Sequence, residues 1–281
     1  METLIAPVND THNACHTVPI IGYHRAPLSQ KFGAPRQPNL VALTSAIEMM
    51  TPFDTPAAFV GIEDFSHLWL SWQFHHNKPF KKQQSDGDAD NSDCFRAQVR
   101  PPRLGGNQKV GVFASRSMYR PSQLGLSVVK LERVEVINGR VTIIINGADM
   151  IDGTPIIDIK PYVAYSDSIE YAQSGFAPIA PIPLTVTINA EVQAQFLQLI
   201  EDEAQSANKV NCDAIIYRIQ QQLLVADIEL IKALIAQDPR PAYRRKEMHT
   251  TFTMRYKSVD VSFCQFAEGQ LQIVAIVRVN E

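Results

Sequence analysis

The chain has 281 residues, 45% of them hydrophobic and 20% charged, with a formal net charge of −3. This is the composition of a globular protein long enough for two ordinary domains. It holds no apolar run near the ~18 residues that cross a bilayer, and its net negative charge excludes indiscriminate coating of nucleic acid.

The N-terminal stretch METLIAPVNDTHNACH lacks a basic leader and carries Asp10 inside its apolar part, so a cytoplasmic protein is expected. TVPIIGYH, LVALTSAIEM, HLWLSWQF, LSVVKLERVEV and RVTIIIN follow as short β-rich runs separated by turn signals, with little helical periodicity. Asn138-Gly139 lies between the last two runs. Such a dipeptide supplies the positive φ angles of a tight turn, so these runs should pair antiparallel. Closing several such strands removes their exposed edges, and a small β-barrel is expected. Residues 77–93, NKPFKKQQSDGDADNSD, lack apolar anchors and read as an excursion from that barrel. SGFAPIAPIP, residues 174–183, holds three prolines and marks a domain boundary, separating 1–173 from 174–281. Beyond it, residues 190–204 have the spacing of an amphipathic helix and 213–236 hold one or two more. Strands return in TFTMRYKSVDVSFCQF and, after a turn at Gly269, in LQIVAIVRV. The expected fold is thus mainly β, a small barrel followed by a smaller α+β domain.

Six basic residues and no acidic one fall between Arg96 and Arg120, which makes either a solvated loop or a polyanion-binding face. Cys15, Cys94, Cys212 and Cys264 stand apart with no C-x-x-C pair, so reduced thiols and no zinc site are expected. His75 and His76 end a strand, where adjacent side chains point to opposite faces. They are poorly placed to share a metal, and read as a surface pair or as one pocket-lining residue at the barrel rim. Glu63 and Asp64, in IEDFSHL, read as a short helical turn with its acidic face in water. The glycine pair of RPPRLGGNQKVGV precedes no helix, so it is neither a Rossmann nor a P-loop site. G-x-S-x-G and H-E-x-x-H are also missing.

Several segments together resemble one family: KFGAPRQPNLV, GIEDFSHLWL, VRPPRLGGNQKVGVFASRSMYRP, GLSVVKLERV and DMIDGTPIIDIKPYVAYSDS look like the TsaA-like, or TrmO, family. The likeness runs from Pro19 to Ser168 and resumes at DPRPAYR, residues 238–244. It implies a non-Rossmann β-barrel methyltransferase, working as a homodimer with S-adenosylmethionine bound near the subunit contact. The implied acceptor is the N6 nitrogen of N6-threonylcarbamoyladenosine, next to the anticodon of threonine tRNA. Matching motif to motif, the implied donor-binding residues are Pro35, Arg36, Gln37, His75, His76, Arg116, Leu126, Asp152, Gly153, Thr154 and Pro155. The chain departs from the family pattern at Ser122-Gln123 and at His76.

Such a donor offers a carboxylate to an arginine fork, ribose hydroxyls to an Asp or His, and an adenine face to Leu. Gly153 would let the backbone approach the ligand closely. Transfer from a sulfonium is an in-line displacement governed by alignment, and His75, His76 and Asp152 are the candidates for any general base. Arg100, Arg103, Lys109, Tyr119 and Arg120, with Asp238, Arg240, Tyr243 and Arg244 of the second domain, are the expected tRNA contacts. The competing reading from the residues is a non-catalytic RNA- or nucleotide-binding module with the same cationic rim; a metal-dependent phosphodiesterase finds no supporting ligand spacing.

Overall fold

The computed structural model describes residues 16–77, 95–137, 139–206 and 214–279. Eight strands come first: β1 (Gly22–Arg25), β2 (Thr44–Met49), β3 (His67–Gln73), β4 (Gln98–Val99), β5 (Val110–Gly111), β6 (Leu124–Ile137), β7 (Arg140–Asn146) and β8 (Pro155–Pro161). A short helix, α1 (Ala164–Asp167), precedes a long irregular stretch. Then follow β9 (Thr185–Ile188), α2 (Ala190–Ser206), α3 (Ala214–Gln220), α4 (Asp227–Ala236), β10 (Phe252–Tyr256), β11 (Val259–Ala267) and β12 (Gln270–Arg278).

β1, β2, β7, β6, β3 and β8 form one antiparallel sheet in that order. The sequence led to the expectation of a small barrel; the six strands, mainly β in architecture, meet end to end where β1 pairs with β8 at Gly22–Ile156 and Tyr23–Pro155. Strict alternation fills its inside: in β3, Leu68, Leu70 and Trp72 are buried while His67, Trp69 and Ser71 are partly exposed. They pack with Ile47, Val129, Ile143, Ile145 and Ile156. RVTIIIN of β7 does not alternate, because its other face is covered too: Ile144 packs with Ala46 and with Ile219 of α3. β6 and β7 pair as the sequence predicts, out to Ile137–Arg140, and Gly139 takes φ +79°. Asn138 lies outside the described residues, as do 78–94, Cys15, Cys94 and Cys212. Ile62–Asp64 form the short helical turn expected of IEDFSHL.

β10, β11, β12 and β9 make the second sheet in that order, with β9 parallel to β12. Val192 and Phe196 of α2 and Ile231, Leu234 and Ile235 of α4 pack against its buried Met254, Val261, Phe263 and Ile273. The run TFTMRYKSVDVSFCQF is two strands rather than one, broken where Lys257 takes φ +49°. A feature invisible in the sequence sets up the site: the connection from β1 to β2 packs on this second core. Leu28, Val41 and Leu43 are buried in it. Phe32 stacks on Phe252 and Phe263 at 6.4 and 6.3 Å. Gly33 (φ +97°) lies so close to Met254 that a Cβ would come within 2.8 Å of its Cε. Residues 35–37 are therefore held on the C-terminal sheet although they precede most of the N-terminal one.

Candidate active site

The segment DMIDGTP leaves β7, turns, and enters β8. Gly153 takes φ +73° and donates its N–H to His24 O at 2.8 Å, while His24 N–H donates to Thr154 O at 2.9 Å. Beneath the turn, Thr154 Oγ1 donates to Ile151 O at 2.8 Å, and His24 Nδ1 lies 3.1 Å from the same carbonyl, so Nδ1 carries the proton. Thr154 and Pro155, expected as ligand contacts, are buried and hold the turn from inside. Burial, the largest cause, pushes the His24 pKa from 6.5 down to about 4, and its Nε2 has no hydrogen-bond partner. Asp152 points outward. Its Oδ1 accepts from Ala26 N at 2.9 Å and from Gln220 Nε2 of α3 at 2.8 Å, so both protein donors occupy one oxygen. It also lines a cavity of about 430 Å³ between the two sheets, with Gln220, Lys257 and Arg278.

Three loops meet beside this turn. A Cβ on Gly153 would lie 3.9 Å from His75 Nε2, which places that imidazole over the turn. His75 meets His76 edge-on at 4.2 Å, and burial, followed by His76, lowers the His75 pKa. Lys31 Nζ donates to His76 O at 3.0 Å and to Asn77 Oδ1 at 2.7 Å, and Asn77 Nδ2 donates to Met118 O at 2.7 Å. The histidine loop is thereby tied both to residues 26–43 and to the arginine turn. Arg116 Nη1 donates to Gln37 Oε1 at 2.7 Å, and Arg36 Nη2 donates to the carbonyls of Asp238 and Arg240, each at 3.1 Å. Pro35 is buried at the foot of this loop. Leu126, expected to meet the adenine face, is 57% exposed on the outer face of β6.

One acidic group went unrecognised in the sequence. Trp72 Nε1 donates to Ser127 Oγ at 3.0 Å, which donates to Asp149 Oδ1 at 2.6 Å. Gly125 makes room for this chain, since a Cβ there would stand 2.2 Å from the Trp72 ring. Burial raises the Asp149 pKa, while Ser127 and the nearby charge of Arg116 oppose the rise. Asp149 lies three residues before Asp152 in the same motif, a signal that could have found it. Lys31 opens the quoted motif KFGAPRQPNLV but was given no role there, while Gln220 and Gln265 belong to none of the family motifs.

The C-terminal motif DPRPAYR is placed beside this cluster through Arg36, but its arginines differ from expectation. Arg240 is 1% exposed; its Nε donates to Asp238 Oδ1 and its Nη1 to Gln265 Oε1, both at 2.7 Å. A contact of Arg240 with tRNA phosphate is corrected to a structural role, because the guanidinium is enclosed and meets the Asp238 carboxylate. Arg244 pairs with Glu247 at 2.8 Å and lies over the Phe252 ring, while Tyr243 is 84% exposed. Arg100, Arg103, Lys109 and Tyr119 are exposed and Arg120 partly so, on the β4–β5 ribbon and the turn after it. Arg103 donates to Ile179 O. Gly106 reaches Ala242 of the motif, where a Cβ would stand 3.7 Å away. No helix among the described residues is long and apolar enough to cross a membrane.

Residues 23–168 match the family model of the tRNA-methyltransferase O N-terminal domain, and residues 181–279 that of the TrmO C-terminal domain. The tRNA (adenine(37)-N6)-methyltransferase of Escherichia coli K12 is 36% identical over 258 residues, 88% of this chain and 95% of that protein. A Pseudomonas aeruginosa protein named for S-adenosylmethionine-dependent methyl transfer is 37% identical over 247 residues, 88% of this chain and 91% of its own length. A crystal structure of TrmO from P. aeruginosa superposes with a TM-score of 0.68 at 28% identity, covering 96% of this chain and all of that one.

Proposed function

The chain belongs to the TrmO family, whose two domain models it matches in order, and from that premise we propose that it transfers the methyl group of S-adenosylmethionine to the N6 nitrogen of adenine 37 in tRNA. The observation that carries the reading is the meeting of four loops from both sheets: the turn at Asp152-Gly153, His75-His76, the pair Gln37–Arg116, and the segment from Asp238 to Arg240 held by Arg36.

The residues present fit the donor. Arg116 has guanidinium N–H groups left after its bond to Gln37, suited to a carboxylate. Among the described residues the donors to Asp152 both meet Oδ1, which leaves Oδ2 suited to ribose hydroxyls or an ammonium, and Gly153 exposes backbone in the left-handed region that favours glycine. When bound, S-adenosylmethionine supplies an electrophilic methyl on a sulfonium. The chain's part is alignment and proton transfer. His75, whose pKa burial holds below the ordinary imidazole value, is the residue that would accept the N6 proton. Asp149 and Ser127 fix the floor behind Arg116.

At finer grain, the acceptor is N6-threonylcarbamoyladenosine in threonine tRNA, and the enzyme is a cytoplasmic homodimer. Residues 1–173 bind the donor and 174–281 engage tRNA. The exposed run of Tyr165, Ile169 and Tyr171 supports a second copy covering that edge. The test is incubation of the purified protein with S-adenosylmethionine and tRNA carrying or lacking threonylcarbamoyl at position 37, followed by mass spectrometry of anticodon-loop fragments. A methyl gain confined to the modified tRNA supports the full reading. Absence of donor binding by calorimetry rejects it in favour of a non-catalytic RNA-binding module.

A further inference from the structure

Three aromatic side chains stand in solvent around the β4–β5 ribbon: Phe95 is 51% exposed, Phe113 67% and Tyr119 38%. The ribbon itself is why the two phenylalanines meet. Gln98 pairs with Gly111, Val112 N–H donates to Ala97 O at 2.9 Å, and Phe95 and Phe113 end up 6.0 Å apart with their planes 30° from parallel. Guanidinium groups stack on these rings. Arg96 lies 4.0 Å over Tyr119, and Arg120, fixed by its bond to Ser115 O at 3.1 Å, lies 5.4 Å over Phe113. Burial explains none of this: of the ribbon and its flanks from 110 to 114, only Val112 is buried.

We propose that Phe95, Phe113 and Tyr119, with Arg96 and Arg120 laid on them, form a stacking platform for unpaired bases of the tRNA anticodon loop. Bases splayed from a loop are held on aromatic faces and arginine planes, in a way that tolerates sequence. The charge around the platform matches that occupant. The segment from Arg96 to Arg120 holds six basic and no acidic residues, and Arg100 and Lys109 make no hydrogen bond or ion pair among the described residues, so they remain available to phosphates. The platform lies on the same turn as Arg116, whose Gln37 bond belongs to the donor cluster. Bases stacked here would adjoin the reacting adenosine.

This inference rests on the tRNA-methyltransferase reading and is tested apart from it. Phe95→Ala, Phe113→Ala and the double variant are titrated with an anticodon stem-loop carrying 2-aminopurine beside position 37, while S-adenosylmethionine binding is followed by calorimetry. Each ring removed should weaken RNA affinity about tenfold and relieve the quenching of 2-aminopurine, with Phe113→Trp restoring both. The slope of log affinity against log salt should stay at the wild-type value in these variants, and fall by about one in Lys109→Ala. Unchanged RNA affinity and quenching in the double variant, with donor binding intact, would overturn the platform and leave the methyltransferase standing. Conversion of a dimer to a monomer of unaltered RNA affinity would assign the rings to a protein contact instead, also overturning it. Loss of donor binding in the wild type would strike the enzymatic reading alone.

Discussion

His24 ties the stability of the donor turn to pH. Its ring is buried, hydrogen-bonded at Nδ1 to Ile151 O and unpartnered at Nε2, and its pKa falls from 6.5 to about 4. Burial dominates; Asp152 and the Ile151 carbonyl pull the value up and Arg25 pushes it further down. The unfolded chain therefore binds a proton that the folded chain refuses between about pH 4 and 6.5, so stability falls as pH drops through that window and is unaffected by this group above it. At ~1.36 kcal/mol per unit the full loss is ~3.4 kcal/mol, of which ~2 kcal/mol is already gone at pH 5. Urea unfolding of wild type and His24→Gln at pH 7.5 and 5.0 isolates this contribution, because carboxylate titration is common to both and Gln can still donate to Ile151 O. The wild type should lose about 2 kcal/mol more than the variant. Parallel losses in the two proteins would show that His24 is not the group refusing the proton.

Four further outcomes follow from the contacts around the site. Arg240→Ala removes the buried partner of Asp238 and Gln265 and should cost about 3 kcal/mol in unfolding free energy, because both are left short of a donor. Gln265→Leu should lower tRNA methylation without altering donor affinity, a split read from calorimetry against turnover. Gln220→Ala frees Asp152 Oδ1 of its α3 donor and should raise the KM for S-adenosylmethionine about tenfold with kcat little changed, as one hydrogen bond to a charged group is worth about 1.5 kcal/mol at its lower end. Gly125→Ala forces a methyl into the Trp72 ring and should destabilise by about 2 kcal/mol, with near-UV circular dichroism reporting the displaced indole.

Legibility in the sequence followed the range of the interactions. The β6–β7 hairpin could be read because its turn chemistry and its alternation are local. The β4–β5 ribbon could not, since two-residue strands are too short to show a period. RVTIIIN looked like an ordinary barrel strand, and only the docking of α3 explains why Thr142 and Ile144 are buried as well as Ile143 and Ile145. Motifs located the site but did not rank its residues. Within DGTP, Thr154 and Pro155 are buried and support the turn from within, while Asp149, upstream, shares Ser127 with Trp72. Cationic spacing suggested that Arg240 reaches solvent; its enclosure depends on Gln265, distant in sequence and brought close only by β11.

The roles of Arg36 and Arg240 show how the two sheets act together. Arg240 is enclosed and meets the Asp238 carboxylate, which Arg245 also approaches at 3.2 Å. Arg36 meets the carbonyl oxygens of residues 238 and 240, which satisfy its hydrogen bonds but carry no formal charge. Its positive charge therefore remains at an exposed position, one residue from the Gln37 that orients Arg116. The DPR segment thus presents the cation of the N-terminal sheet rather than its own. Because Phe32 and Gly33, just before it, are pinned to Phe252, Phe263 and Met254, any shift of the C-terminal sheet moves Arg36 and Gln37 with it. The position of Arg36 and Gln37 is in this way set by the second sheet, although both precede most of the first.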